Sequence, residues 1–115
     1  SAPLAALVSS GLPTDRFLFE GFLPPKKGRK VRLNKIKNET ATLIFFESPK
    51  RLNRTLNDLY NILGNRPVVL CRELTKIHEE IKRGTLSEFI MFYSKNSIKG
   101  ECVLLIGKDD QNVYF

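Results

Sequence analysis

Runs of apolar residues that end in polar residues mark the predicted strands of this chain. Residues 42–46, 68–71 and 102–106 are continuously apolar, which is typical of strands covered on both faces. Residues 17–23 are rich in aromatic side chains and end at a proline pair, which also predicts a strand. Residues 79–85 alternate weakly between polar and apolar side chains and carry several charges. This is typical of an edge strand, whose charges prevent pairing with other chains.

Four segments between these runs have helical patterns. Residues 3–10 form a short apolar stretch bounded by a proline and Gly11. Residues 24–28 indicate a Pro-Pro-Lys-Lys-Gly loop, and the residues up to 37 indicate a basic helix with a thin apolar stripe that includes Val31. Four leucines between Ser48 and Gly64 recur at helical spacing, and residues 86–93 are amphipathic. The order of elements predicts an α/β fold: a single mixed sheet of about five strands packed with three to four helices.

Length and composition restrict the class of protein. At 115 residues, with 42% hydrophobic and 27% charged residues, the chain fits one globular domain. No apolar run approaches the ~20 residues that a membrane span needs. Cys71 and Cys102 lie inside apolar runs, which favours buried free thiols in a cytosolic protein over a disulfide. With one histidine and no paired cysteine motif, we predict no metal site.

Charge points to an anionic partner. The net charge is +7, and residues 26–37 hold seven cations and no acid. RNA is favoured over a membrane surface, because no basic helix with an aromatic face is evident. The alternative is an ordinary solvated face. The candidate phosphate contacts in this segment are Lys26, Lys27, Arg29, Lys30 and Arg32.

Polar loops follow two of the predicted buried strands. Residues 72–80 follow one strand and residues 47–51 follow another, and α/β proteins usually bind ligands at such strand ends. We therefore expect one site built from both loops, with ordinary surface loops as the alternative. Lys50, Arg51 and Arg54 stand in the first turns of the following helix, where a cation costs roughly 0.3–1 kcal/mol. A bound anion would remove that penalty.

Several motifs occur in an order that resembles a known family. The sequence is similar to the C-terminal lobe of the ribosomal RNA small subunit methyltransferase I family, which has the tetrapyrrole methylase fold. The resemblance runs from residue 1 to about residue 106. It rests on the motifs SGLPTDRF (10–17), FEGFLP (19–24), FESPKRL (46–52), RELTK (72–76) with HEE (78–80), GTL (84–86) and KGE (99–101).

The resemblance implies a function and an incomplete site. Members of this family transfer a methyl group from S-adenosylmethionine to a cytidine ribose 2′-hydroxyl in the decoding region of 16S rRNA. They bind the cofactor between two α/β lobes. Residues 1–108 would then be a C-terminal lobe and residues 109–115 a tail, with an N-terminal lobe of the same protein as a partner. The chain begins abruptly in a helix, which fits this expectation. The family also implies the small ribosomal subunit as partner, a homodimer and a cytoplasmic location.

The resemblance and the chemistry of methyl transfer together give candidate site residues. A base would help a hydroxyl to act as nucleophile, and its candidates are Glu47, Glu73, His78 and Glu79. Matching to the family assigns cofactor contacts to Ser1, Ala2, Glu47 and Leu74. Phosphate or another RNA oxygen would be held by Lys50, Arg51 and Lys76. For the candidate bases and for Arg51 and Lys76, the alternative is a salt bridge between the two loops.

Two other functions stay open at this point. One is a basic RNA-binding module without catalysis, which would have no use for the acidic loops. The other is a tetrapyrrole methyltransferase of the same fold, against which the basic segment 26–37 argues. Under the methyltransferase hypothesis, we expect this chain alone to have negligible activity and to bind S-adenosylmethionine very weakly.

Overall fold

The computed structural model describes residues 1–73 and 77–108 and contains the predicted elements in the predicted order. The bounds of the helices and strands are α1 Ala2–Ser10, β1 Phe17–Phe22, α2 Arg29–Lys35, β2 Thr42–Glu47, α3 Pro49–Leu63, β3 Pro67–Arg72, β4 Glu80–Thr85, α4 Leu86–Tyr93 and β5 Cys102–Ile106. The predicted α/β class and single mixed sheet are confirmed. The predicted tail 109–115 lies outside the described residues.

The last strand lies in the middle of the sheet. The spatial order is β1-β2-β5-β3-β4, and β5 is antiparallel to both of its neighbours, β2 and β3. These neighbours therefore run in the same direction, and β1 runs parallel to β2. As a result, β1, β2 and β3 end on the same side of the sheet on which β4 and β5 begin. We call this side the rim; it comprises residues 22–28, 47–51, 72–73, 77–80 and 98–102.

Each face of the sheet has its own core, because side chains alternate along a strand. On one face, called here the helix face, Phe45, Leu70 and Leu104 pack against α3 and α4. On the opposite face, the α1 face, Ile44 and Leu105 pack against α1. Every residue of β5 is buried, as its continuously apolar sequence predicts.

Helix α3 buries its leucines, and its first turn receives no hydrogen bond from the side chain of its N-cap residue. Leu52, Leu56 and Leu59 face the core, and Gly64 follows the last helical residue. Ser48 occupies the N-cap position, but its side chain makes no capping hydrogen bond. The backbone N–H of Ser48 instead donates to the carboxylate of Glu47 at 2.8 Å.

A chain of buried polar side chains connects α2, α3 and β2. The guanidinium of Arg29 donates to the Thr55 hydroxyl at 2.9 Å and to the Asp58 carboxylate at 2.8 Å. The Thr55 hydroxyl donates in turn to the carboxylate of Glu47 at 2.5 Å. Because Arg29, Thr55 and Glu47 are all at least 96% buried, these bonds hold three elements at fixed positions behind the rim.

Two smaller findings complete the architecture. The buried stripe of α2 consists of Leu33 and Arg29, and Ile36 is buried at the C-terminal cap of the helix. Val31 was predicted to belong to this stripe but is exposed. Among the described residues, no helix is both long and apolar enough to cross a membrane.

The buried polar chain predicts the effect of removing one hydroxyl. Thr55→Val keeps the shape of the side chain but removes the acceptor of Arg29 Nη2 and the side-chain donor to Glu47 Oε2, both of which are buried. We expect the free energy of unfolding to fall by about 2 kcal/mol, measured by urea denaturation. Thr55→Ser, which keeps the hydroxyl, should recover most of the loss. The matched control Thr14→Val, at an exposed loop position, should change stability by less than about 0.5 kcal/mol. Equal stability of Thr55→Val and Thr14→Val would contradict this account.

Candidate functional site

A cleft opens at the rim on the α1 face of the sheet. Its volume is about 420 Å³. It is lined by residues from α1 and from the ends of four strands: Ala2, Phe22, Phe46, Cys71, Glu73, Glu101, Cys102 and Val103. The cleft spans the ends of β2 and β3, after which the two polar loops begin. Glu73 of the second loop lines the cleft, whereas no residue of 47–51 does. One site built from both loops therefore stays a prediction.

The cleft combines an aromatic wall with a pair of carboxylates. Phe46 contacts Phe22 and Phe19, with ring centroids 5.5 and 5.2 Å away. These rings stay accessible because β1 is an edge strand. Glu73 and Glu101 also line the cleft, and both are exposed. A flat apolar group with a positive charge nearby would match both parts of this lining.

Glu73 has a strained backbone. Its φ angle is +54°, the one positive value for a non-glycine residue in the described part of the chain. The left-handed conformation costs a residue with a side chain roughly 1–2 kcal/mol. Such strain often persists where function requires a particular side chain in that place. Glu73 therefore stands out as the carboxylate with the strongest claim to a functional role in the cleft.

The two thiols in the cleft lining are unreactive groups of the core. Burial raises the pKa of Cys71 to about 11 and that of Cys102 to about 12. Both therefore stay protonated at neutral pH, which excludes them as nucleophiles there. Cys71 packs in the core of the α1 face and Cys102 in that of the helix face, which agrees with their observed state as free cysteines.

A basic pocket lies on the other face of the sheet. It has a volume of about 350 Å³ and is lined by residues from the start of α2 and from α3, including Lys26, Lys30 and Arg54. We call it the α2–α3 pocket. Arg54 is held in place because its Nη1 donates to the carbonyl oxygen of Pro25 at 2.7 Å. Within the described residues, neither lysine has a carboxylate within 4 Å, so the pocket keeps an excess of positive charge.

The structure corrects the predictions for Arg29 and Glu47. Arg29 is 3% exposed, and its guanidinium is engaged by Asp58, Thr55 and the carbonyl oxygen of Pro24, so it cannot contact an RNA phosphate. Glu47 is 2% exposed, and its carboxylate faces α3 rather than the cleft. The carboxylate of Glu47 therefore cannot act as a base on a ligand in the cleft. Contact between a cofactor and the backbone of Glu47 stays a prediction.

The other predicted residues fall into three groups. Ala2 and Glu73 line the cleft, with Ser1 at the N-cap of α1 beside them. The side chains of Lys27, Lys50, Arg51, His78 and Glu79 are exposed, whereas Arg32 is paired with Glu20 at 3.5 Å. Leu74 and Lys76 lie outside the described residues. The described residues contain no group of three or more metal-binding side chains.

Several lining residues were not found from the sequence. Phe22, Phe46 and Val103 belong to strand patterns and gave no separate signal of a site. Glu101 precedes β5, and its place in the cleft depends on the insertion of β5 between β2 and β3. Arg54 did give a signal, since a cation near a helix start suggests a bound anion.

Fold and site together define an α/β lobe with a ligand cleft at its strand ends. The family model described as Tetrapyrrole (Corrin/Porphyrin) Methylases matches residues 1–90. This chain belongs to that family. Two solved structures agree with this at the level of fold. The methyltransferase CobJ covers the whole chain with a TM-score of 0.73, and the cobalt precorrin-4 methyltransferase CbiF covers 93% with a TM-score of 0.70. Both are 19% identical in sequence, and the chain matches 52% and 48% of their respective lengths.

Several curated relatives agree with the resemblance seen in the sequence motifs. Proteins named ribosomal RNA small subunit methyltransferase I are 50% identical in Halalkalibacterium halodurans and 49% identical in Rickettsia prowazekii. The one in Thermotoga maritima is 46% identical. These alignments cover 98%, 96% and 95% of this chain. The chain spans only 39%, 40% and 50% of the respective relatives.

The raised pKa values of the thiols predict how stability changes with pH. In the unfolded chain a thiol loses its proton near its ordinary pKa of 9.0, whereas the folded chain keeps it to about pH 11 or above. The stabilising contribution is therefore complete below about pH 9 and is lost as the pH rises from about 9 towards about 11. Urea denaturation gives the free energy of unfolding at pH 8 and at pH 10.5. The decrease in this free energy between the two pH values should be smaller for the double variant Cys71→Ala Cys102→Ala than for the wild type. Equal decreases would contradict the burial of these thiols.

The strained backbone at Glu73 predicts that substitution by glycine does not lower the stability of the fold. Glu73→Gly relieves the left-handed conformation, so we expect stability to stay equal or to rise by up to about 1 kcal/mol. Asp15→Gly is the matched control, because Asp15 is an exposed acidic loop residue with a negative φ angle. Asp15→Gly should lower stability by about 0.5–1 kcal/mol. Thermal unfolding of both variants tests this, and an equal loss at both positions would show that Glu73 is unstrained.

Proposed function

We propose that this chain is the cofactor- and RNA-binding lobe of a methyltransferase acting on a ribose 2′-hydroxyl of 16S rRNA. The observation that carries the proposal is the 50% identity, over 98% of the chain, to a protein named ribosomal RNA small subunit methyltransferase I. The cleft and the basic pocket supply the chemistry that such a function needs, on two faces of one rim.

The residues of the cleft fit S-adenosylmethionine as the cofactor. This molecule has an aromatic adenine and, when bound, supplies an electrophilic methyl group on a positively charged sulfur. Phe22 and Phe46 offer apolar surface to an aromatic ring. The carboxylates of Glu73 and Glu101 would attract a positive charge.

Within this chain, Glu73 is the best candidate to accept the proton of the ribose hydroxyl. It lines the cleft, carries a strained backbone and is exposed to a substrate. The Glu73 carboxylate would accept the hydroxyl proton as the ribose oxygen is methylated. S-adenosylmethionine would supply the methyl group, and the electron pair of its broken carbon–sulfur bond would stay on sulfur in the thioether product. His78 and Glu79 are exposed on the same loop and remain the other candidates.

The RNA would approach over the helix face of the rim. Lys26, Lys30 and Arg54 form the α2–α3 pocket, and Lys50 and Arg51 are exposed at the start of α3 beside it. Cations in such a line hold successive phosphates and position the strand without reading its bases. The net charge of +7 favours the encounter with any polyanion.

The proposal also includes partners and a location. An N-terminal lobe would close the cleft, the small ribosomal subunit would present the RNA, and two copies of the whole protein would form a homodimer in the cytoplasm. Two other functions fit less well. A tetrapyrrole substrate would leave the basic pocket without a role, and a non-catalytic RNA-binding module would leave the carboxylates of the cleft without one.

A chimera tests the proposal directly. The chain would replace the matching 114 residues of the Halalkalibacterium halodurans relative. We expect the chimera to transfer a labelled methyl group from S-adenosylmethionine to 16S rRNA at a ribose, because both halves of the cleft are then present. The 115-residue chain alone should show no detectable transfer. Turnover by the chain alone, or methylation of a porphyrinoid but not of RNA by the chimera, would overturn the proposal.

Substitutions in the chimera separate the roles of the two carboxylates. Glu73→Gln removes the proton acceptor and should lower kcat by about 10²–10⁴-fold. Glu101→Gln should mainly raise the KM for S-adenosylmethionine, because it removes only a charge beside the cofactor. Asp15→Asn, remote from the rim, is the matched control and should change neither constant. An unchanged kcat for Glu73→Gln would exclude Glu73 as the base.

A further inference from the structure

A second basic pocket lies on the helix face of the rim, at the far end from the α2–α3 pocket. Its volume is about 280 Å³, and it is formed between β4, the last turn of α4 and the residues before β5. We call it the β4–α4 pocket. Its charged lining residues are Arg72, Glu80, Lys82 and Lys99. None of these residues belongs to the cleft or to the α2–α3 pocket.

The ammonium group of Lys82 is held against aromatic rings rather than paired with a carboxylate. Its Nζ lies 3.2 Å from the centroid of the Phe92 ring and 5.9 Å from that of Tyr93. A cation above an aromatic face is attracted by the ring. In the described ranges, no carboxylate lies within 4 Å of this nitrogen. Lys82 is therefore positioned in advance to meet an anion.

Arg72 fixes the other side of the pocket. Its guanidinium is paired with the Glu80 carboxylate at 3.4 Å and donates to the carbonyl oxygen of Lys99 at 2.7 and 3.2 Å. The one acidic side chain in the lining is thus already matched by Arg72. Lys82 and Lys99 remain as excess positive charge, so the pocket favours an anionic group.

The start of α3 lies between the two basic pockets. Asn53 donates from Nδ2 to the carbonyl oxygen of Tyr93, on the side of the β4–α4 pocket, at 3.2 Å. Its neighbour Arg54 contacts Pro25, on the side of the α2–α3 pocket. The two pockets therefore lie on opposite sides of α3. Lys50 and Arg51 are exposed at the start of that helix. Cationic side chains thus follow one another along the whole helix face of the rim.

We infer that the β4–α4 pocket binds a backbone phosphate of single-stranded RNA and is the second anchor of a strand whose first anchor is the α2–α3 pocket. The inference rests on the proposed RNA substrate and extends its contact area to β4 and α4. It requires a strand long enough to reach both pockets. A short oligonucleotide held in the α2–α3 pocket would not use Lys82 or Lys99.

Binding of two lengths of RNA tests this inference. Fluorescein-labelled single strands of 12 and 4 nucleotides are titrated with the 115-residue protein, and fluorescence anisotropy gives the Kd at several salt concentrations. We expect Lys82→Gln Lys99→Gln to weaken binding of the 12-mer by about tenfold. The salt slope should fall by about 0.7 for each phosphate that the variant no longer neutralises. Binding of the 4-mer should change by less than twofold.

Control variants make the result specific to the pocket. Lys95→Gln Lys108→Gln removes the same charge from exposed positions outside both pockets and should change the Kd of the 12-mer by less than twofold. The single variant Lys82→Arg keeps a cation above Phe92 and retains Lys99. It should therefore bind the 12-mer about as tightly as the wild type. Thermal unfolding confirms that the variants compared are folded at the assay temperature.

The outcomes distinguish this inference from the proposed function. The second anchor is refuted if the double variant Lys82→Gln Lys99→Gln binds the 12-mer as tightly as the charge control does. The RNA substrate still stands in that case if the double variant Lys26→Gln Lys30→Gln loses binding. An equal loss for the 4-mer and the 12-mer would also refute the second anchor, because the pocket would then act alone. If the wild type binds neither RNA, the proposed RNA substrate fails and the inference fails with it.

Discussion

The insertion of β5 between β2 and β3 is the constraint on which the rest of the structure depends. All five of its residues are buried, and it forms antiparallel ladders with both neighbours. Since antiparallel pairing on both sides makes β2 and β3 parallel, their polar ends emerge together. They are separated by two interstrand spacings, about 10 Å. A ligand in the cleft can therefore touch residues that are distant in sequence, such as Phe46, Glu73 and Glu101.

The sheet divides the rim into two chemically different surfaces. On the α1 face, residues 1–73 and 77–108 place one short helix against the strands, so Phe22 and Phe46 stay accessible beside two carboxylates. On the helix face, α2, α3 and α4 cover the strands, and lysines and arginines surround the starts and ends of these helices. A cationic cofactor and a polyanionic strand would thus meet at one rim while each faces side chains of opposite charge.

The sequence predicted the elements well because their patterns are local. Apolar runs marked the buried strands, and leucine spacing marked α3. It could not predict which polar residues are buried, since that depends on partners far along the chain. Arg29 and Lys26 look alike in a basic segment. Arg29 is buried because Thr55 and Asp58 meet it, 26 and 29 residues away.

The same reason explains the errors and omissions at the site. Glu47 ends a strand in a polar loop, as a catalytic residue would, but the hydroxyl of Thr55 engages it behind the rim. Glu101 has no distinctive signal until β5 is placed in the sheet. Lys82 belongs to an edge strand whose charges also protect that edge, so only the position of Phe92 indicates a further role.

The central claim is that one rim binds a cofactor on one face and RNA on the other. Amide chemical shifts of the labelled chain, recorded by NMR during separate titrations, test it most directly. S-adenosylmethionine at millimolar concentration should shift Ala2, Phe46, Glu73 and Glu101, and a 12-nucleotide RNA should shift Lys26, Lys30, Lys50, Lys82 and Lys99. RNA shifts that leave Lys26, Lys30, Lys82 and Lys99 unchanged, or S-adenosylmethionine shifts confined to the helix face, would contradict the account.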